Sequence, residues 1–84
     1  MFIKEVSYIF TQNHNIMLIE RIGKATKTRR KELGITQTTL AELSGVSKNT
    51  IYKLERGENN PSLEIVDKIL EVLGLDLKIE IKQD

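Results

Sequence analysis

Residues 37–57, QTTLAELSGVSKNTIYKLERG, decide the fold of this chain. Gly45 stands in the middle of the stretch, and Ser47 follows it closely. A glycine adopts at little cost the left-handed backbone that ends a helix, and a serine hydroxyl can accept hydrogen bonds from the unpaired amides that begin the next one. The spacing therefore predicts two short helices joined by a tight turn, over residues 37–44 and 48–56.

The second helix of this helix-turn-helix has one polar and one apolar face. With successive residues about 100° apart, its polar side chains share an arc of roughly 140°: Lys48, Asn49, Tyr52, Lys53 and Arg56. Ile51 and Leu54 lie on the other side. Such a helix enters the DNA major groove with its N-terminal residues at the base edges, where lysine can donate to guanine and asparagine can pair with adenine. The pattern predicts base contacts from Lys48, Asn49 and Lys53; a solvated face of a small bundle is the alternative.

Residues 34–64, GITQTTLAELSGVSKNTIYKLERGENNPSLE, resemble the Cro/cI-type (Xre) helix-turn-helix of phage repressors and many bacterial regulators. The resemblance covers about residues 22–74. It implies that Thr36 caps the first helix of the motif, and that an ion pair between Arg30 and Glu55 ties the preceding helix to the end of the second. It also implies contacts to the DNA backbone from Thr36, Gln37, Thr50, Tyr52 and Arg56.

Positive charge is concentrated in the first two thirds of the chain. The net charge is only +1, but residues 1–57 carry ten Lys or Arg against five Asp or Glu, whereas residues 58–84 carry three against seven. The basic residues that precede the motif are Lys24, Lys27, Arg29, Arg30 and Lys31. They are predicted to contact phosphates, apart from Arg30, or else to form a solvated helix face. Thr26 and Arg29 depart from the resembled family, which usually has apolar core residues there.

Two further helices flank the motif. One is expected from Met17 to Leu33, and the other over residues 63–73, capped by Ser62 and stopped by Gly74. The apolar arc of the last helix is about 160° wide, so it either forms a dimer surface or covers a small core. The expected fold is mainly α: a four- to five-helix, repressor-like DNA-binding bundle with a C-terminal β-strand.

That strand is predicted from a change of hydrophobic period after residue 74. Apolar residues alternate with charged ones at Leu75, Leu77, Ile79 and Ile81. A lone strand needs a partner, either residues 1–10 or its own copy in a second subunit, and the copy is favoured because an antiparallel pair across a two-fold axis is self-complementary. The segment LGLDLKIEIK also resembles the Hip-type antitoxins, in which a C-terminal strand joins two subunits. The predicted division is therefore an N-terminal arm at 1–16, a DNA-binding domain at 17–74 and a dimerisation strand at 75–84.

Few other chemistries are compatible with the composition. The arm could form a strand or a helical extension, and His14, the only histidine, is expected in a surface loop. The chain has no cysteine, no phosphate-binding glycine loop and no run of eighteen apolar residues. We expect no enzyme activity, no metal, no cofactor, no membrane association and a cytoplasmic location.

The predicted function is sequence-specific DNA binding in transcription regulation. In the favoured interpretation a dimeric repressor reads an inverted repeat through the helix at 48–56. The alternative is an antitoxin that binds a toxin protein and regulates its own operon. A pure interaction module is a third possibility, against which the basic face of that helix argues. The predicted partners are therefore double-stranded DNA, a second copy of the chain and, in the alternative, a toxin.

Overall fold

The computed structural model describes residues 17–81, which form four α-helices. Their bounds are α1 (Leu18–Glu32), α2 (Gln37–Ser44), α3 (Lys48–Glu55) and α4 (Leu63–Leu73). The predictions for α2 and α4 are confirmed to the residue, and those for α1 and α3 extend slightly too far. The mainly α fold with a helix-turn-helix is confirmed, whereas the arm predicted at 1–16 lies outside the described residues.

Three of the helices begin at a hydroxyl cap. The side chains of Thr36, Ser47 and Ser62 accept hydrogen bonds from the backbone N–H groups three residues further on, at 3.0, 3.1 and 3.1 Å. Such caps each contribute about 1 kcal/mol. Between α2 and α3, Gly45 has a φ of 72° and its N–H donates to the carbonyl of Ala41 at 2.9 Å. The predicted turn chemistry is therefore present.

The core is built by residues from all four helices and from the positions that follow α2 and α4. α1 packs against α3 and α4, and α2 packs against the same two helices. The buried apolar residues are Ile22, Ala25, Leu40, Val46, Ile51, Leu54, Val66, Ile69, Leu70, Leu73 and Leu75. On α4, Ile65 and Val72 are partly buried against this core, while Leu63 is exposed. Most of the wide apolar face of α4 thus covers its own subunit. This favours the interpretation that the face covers a small core over the interpretation that it forms a dimer surface.

Thr26 and Arg29, the two departures from the family pattern, are neighbours on one face of α1 but differ in burial. Thr26 is fully buried, and its hydroxyl has no hydrogen-bond partner within residues 17–81. Arg29 reaches the far end of α4, where its Nε donates to the carbonyl of Leu73 at 2.9 Å. A polar residue at each position is therefore accommodated, one inside the core and one as a link between helix ends.

α1 and α3 cross at Gly23. A Cβ built at Gly23 would lie 3.0 Å from the carbonyl carbon of Leu54 and closer still to its oxygen. The neighbouring Glu55 Cα would lie 3.4 Å from the same position. Only a residue without a side chain allows the backbones to approach this closely. Gly23 therefore fixes the position of α3, the helix that carries the predicted base-reading residues.

The C-terminal segment departs from the prediction of a half-buried strand. Leu75 is buried in the core, and its N–H donates to the carbonyl of Leu70 at 2.9 Å. Leu77, Ile79 and Ile81 are exposed. Within residues 17–81 no β-strand is present, and a β-bridge is found at Asp76 alone.

Leu75 packs on its own subunit, because the turn that ends α4 folds this side chain back onto the helix. Pairing of the remaining apolar residues with a second copy stays a prediction.

Candidate nucleic-acid interface

One face of α3 points away from the bundle and carries the three predicted base-reading side chains. Lys48, Asn49 and Lys53 are all exposed. On the inner face Ile51 and Leu54 are completely buried. Burial of two large apolar side chains in eight residues fixes the rotation of this short helix about its axis. The outward residues therefore have a defined orientation relative to the rest of the bundle.

Two of the predicted backbone-contacting residues belong to helix caps. The hydroxyl of Thr36 donates to Thr39 Oγ1 at 3.1 Å while it accepts from the Thr39 amide. At the start of α3 the hydroxyl of Ser47 donates to Thr50 Oγ1 at 2.8 Å. These local hydrogen bonds hold both threonine side chains at the N-terminal turns of α2 and α3. Helix N-termini are favourable positions for phosphate because their amides and dipoles point toward it.

Arg30, Gln37 and Glu55 form a clamp that joins α1, α2 and the end of α3. The guanidinium of Arg30 binds both carboxylate oxygens of Glu55, at 2.7 and 3.0 Å, and Gln37 donates to the same carboxylate at 3.0 Å. A further Arg30 nitrogen donates to the Ile35 carbonyl at 2.9 Å. The side chains of Arg30 and Glu55 are only 11% and 3% exposed. The hydrogen bond to Glu55 raises the pKa of Arg30. Burial lowers this pKa in part, and the negative charge of Glu55 raises it further.

The structure thus brings Arg30 and Glu55 together and directs Gln37 inward. Gln37 keeps a second amide hydrogen and a carbonyl oxygen for any contact beyond the clamp. Since Glu55 is the last residue of α3, the clamp sets the position of that helix relative to α1.

Arg56, which follows α3, is held at the protein surface by two neighbours. Its Nε donates to Glu58 Oε2 at 2.8 Å, and its guanidinium carbon lies 5.4 Å from the centre of the Tyr52 ring. The hydrogen bond and the charge of Glu58 raise the pKa of Arg56, and Tyr52 contributes less. The side chain of Arg56 is 54% exposed and that of Glu58 46% exposed. This arginine therefore stands beside the outward face of α3 but is engaged with a carboxylate.

The five basic residues of α1 that were predicted to lie beside the motif separate into two groups. Arg29 and Arg30 are partly buried and bond to α4 and α3, so the predicted phosphate contact by Arg29 does not fit its position. The exposed group consists of Lys24, Lys27 and Lys31. On a helical wheel these lysines lie about 40° to 100° from Gly23, the residue that touches α3. They therefore flank the side of α1 that meets α3 and extend its positive surface.

Two residues that shape this surface were not among the predicted site residues. Gly23 has a sequence signal, since an isolated glycine inside a helical pattern costs about 1 kcal/mol and usually has a packing reason. Glu58 has no comparable signal, because an acidic residue in a loop is ordinary. Across residues 17–81, no three side chains of the metal-binding types gather at one place, and no helix combines the length and apolar character needed to cross a membrane.

Comparison with known proteins assigns the motif to a family. A family model described as helix-turn-helix matches residues 27–79. A protein of Methanococcus vannielii named as an HTH-type transcriptional regulatory protein is 51% identical over 55 residues, which cover 66% of this chain and 17% of that protein. A protein of the same description from Pyrobaculum aerophilum is 32% identical over 74 residues, covering 88% of this chain and 30% of that protein.

A third relative is shorter. An uncharacterized HTH-type transcriptional regulator of Methanothermobacter thermautotrophicus is 48% identical over 48 residues, which cover 57% of this chain and 70% of the relative. The chain therefore spans less than a third of the first two relatives and most of the third.

Proposed function

Because the chain belongs to the helix-turn-helix family, we propose that it binds duplex DNA sequence-specifically and regulates transcription. The observation that carries the proposal is the outward face of α3, with Lys48, Asn49 and Lys53 exposed on a helix whose other side is locked into the core. The names of the relatives, HTH-type transcriptional regulators, support the same class of function.

Base recognition would come from the N-terminal half of α3. Asn49 can pair with the N6 and N7 edge of adenine, and Lys48 can donate to guanine, each good contact giving about 1 to 3 kcal/mol of discrimination. Lys53 lies more than one turn further along. The residues proposed to hold the phosphates are Thr36, Gln37, Thr50, Tyr52 and Arg56. Phosphate contacts orient the protein without reading sequence.

We infer that the working unit is a dimeric repressor. One α3 covers a half-site, and two must be held about 34 Å apart to read successive turns of one DNA face as an inverted repeat. The exposed apolar residues Leu77, Ile79 and Ile81 supply a surface for that contact. Occupation of a promoter by such a dimer would block transcription by exclusion.

The same exposed segment is the observation that favours the second candidate, an antitoxin. Three apolar side chains, Leu77, Ile79 and Ile81, would suit a toxin protein as well as a second copy. The two candidates differ in what the native cell provides. A pull-down that recovers one stoichiometric protein encoded beside this gene would favour the antitoxin, and recovery of the chain alone would favour the repressor.

The test of DNA reading begins with selection of preferred sequences from a random duplex library. Asn49→Ala and Lys48→Ala should then lose about 1 to 3 kcal/mol of affinity for the selected site and little for random duplex. Lys68→Ala, an exposed lysine on α4, is the matched control and should affect neither. Circular dichroism should show an unchanged fold. Equal losses on selected and random DNA would contradict base reading by these residues.

A further inference from the structure

Helix ends in this protein share one pattern, and Glu58 is its exception. Each of the four helices is followed by a glycine with positive φ: Gly34, Gly45, Gly57 and Gly74. The residue after each glycine donates its N–H to a carbonyl five residues earlier. After three of the glycines that residue is apolar and packs in or against the core: Ile35, Val46 and Leu75. After Gly57 it is Glu58, whose side chain stays at the surface and bonds to Arg56.

The backbone therefore presents the Glu58 carboxylate to Arg56. The Glu58 N–H is bound to the Lys53 carbonyl at 2.9 Å, which anchors the residue against the last turn of α3. The carboxylate then bonds to Arg56 Nε, and the guanidinium lies over the Tyr52 ring. Both partners are about half exposed, so water screens the pair and separation is inexpensive.

We propose that Glu58 is an internal competitor of DNA phosphate for Arg56, and this rests on the proposed DNA-binding function. In the protein without DNA the carboxylate occupies the Nε donor of Arg56. When α3 docks, a phosphate oxygen replaces the carboxylate, while Tyr52 keeps the guanidinium at the end of the helix. Glu58 thereby lowers affinity for every DNA sequence alike, and it restrains binding to the large excess of sites that lack the correct bases.

The competition has a signature in the salt dependence. A lysine or arginine that neutralises a phosphate releases condensed cations and contributes about 0.9 to the slope of log K against log salt. Glu58, once displaced by phosphate, attracts a cation from solution and offsets part of this release. Removal of the carboxylate should therefore steepen the slope by up to about 0.9.

The experiment compares Glu58→Gln with wild type on a random duplex of roughly 20 base pairs, two turns of B-DNA, across a salt series. Because the contact is to phosphate, no operator is needed. We expect Glu58→Gln to bind about two- to fivefold more tightly, in line with the small worth of exposed pairs. Glu71→Gln, on the last turn of α4, changes the net charge equally and serves as the matched control.

A double-mutant cycle separates competition from simple repulsion. In an Arg56→Ala background the gain from Glu58→Gln should vanish, because the carboxylate then has no arginine to occupy. An equal gain in both backgrounds would mean that Glu58 only repels phosphate, and weaker binding by Glu58→Gln would mean that it positions Arg56. Either result overturns the proposal.

NMR of Arg56, first without DNA and then with it, keeps the two proposals distinguishable. The NMR signal of Arg56 Nε–H should exchange more slowly with water in wild type than in Glu58→Ala, which has no side-chain acceptor, and titration with random duplex should shift it in wild type. Equal exchange in the two proteins would refute the occupied donor. Slow exchange without any duplex binding would instead reject the proposed function, and the competitor role with it.

Discussion

Gly23 shows how one residue controls the position of the candidate reading helix. In an exposed helix, glycine to alanine is stabilising by about 1 kcal/mol, because alanine has the higher helix propensity. Here the added methyl group would collide with the Leu54 carbonyl on α3. A backbone group cannot rotate away as a side chain can, so one helix must move.

We expect Gly23→Ala to destabilise the protein by about 1 to 3 kcal/mol, the range found for overpacked cores. Urea unfolding at constant m-value would measure the change. Lys27→Ala, which changes an exposed residue of the same helix, is the control and should stay within about 0.5 kcal/mol of wild type. A gain in stability for Gly23→Ala would mean that α1 and α3 do not pack as closely as described.

Sequence pattern predicts the role and the exposure of a residue well where a local rule decides them. The hydroxyl caps follow from their position before an apolar repeat, and the outward face of α3 follows from the helical period. Arg29 illustrates the limit. Its place in a basic cluster suggests phosphate, yet it bonds to the Leu73 carbonyl at the end of another helix. Such a contact depends on tertiary geometry, which composition and period do not contain.

At the scale of elements, the residue that follows a helix end can belong to two sequence patterns at once. Leu75 begins an alternating run, which predicts a strand. It also follows a glycine that ends a helix, and an apolar residue in that position usually folds back onto the helix. Val46 does so after Gly45. Leu75 therefore fits two local patterns, the alternating run and the helix end. The helix-end pattern determines its burial.

The clamp between α1 and α3 gives a test at the scale of elements. Removing one member of the pair leaves the other charge poorly hydrated, so Arg30→Ala and Glu55→Ala should each cost ~3 kcal/mol, the lower end for buried pairs because Arg30 keeps some exposure. The double variant should cost less than the two singles together, with a coupling of about 0.5 to 3 kcal/mol. Thermal unfolding of all four proteins measures the cycle.

The exposed pair of Arg56 and Glu58 is the matched control for this cycle. It has a similar distance, 2.8 against 2.7 Å, but it stands in water. Its single variants should change stability little, and its coupling should be small. Strict additivity for Arg30 and Glu55 would show that the clamp does not contribute to folding.

For the whole molecule, positive charge and exposed apolar surface belong to different parts of the chain. The excess of positive charge lies in residues 1–57, which include the outward face of α3 and the lysines of α1. The acidic remainder ends in a segment whose apolar side chains at 77, 79 and 81 are exposed. The basic part therefore suits a polyanion, and the exposed apolar segment suits an apolar partner. Sequence alone cannot settle that partner, because pairing between chains is not encoded in the period of one strand.

Truncation after Asp76 tests the inferred dimer without removing the buried Leu75. The four helices and the core are retained, so the truncated protein should keep its helical signal and melt close to wild type. It should sediment as a monomer, because the exposed apolar side chains are gone. It should also lose most of its affinity for a duplex with two half-sites, since one α3 then binds alone, but bind an isolated half-site as before.

A full-length variant guards this test against loss of folding. Replacing the two fully exposed residues, Ile79→Lys with Ile81→Lys, opposes strand pairing but leaves the core unchanged, so it should give the same monomer. A tight dimer that survives both changes would locate the interface elsewhere and leave the exposed segment for another protein. Unfolding of the truncated chain alone would mean that residues 77–84 stabilise their own subunit. One result connects the C-terminal segment to operator recognition: the truncated chain and the lysine variant are both monomers, and both still bind an isolated half-site.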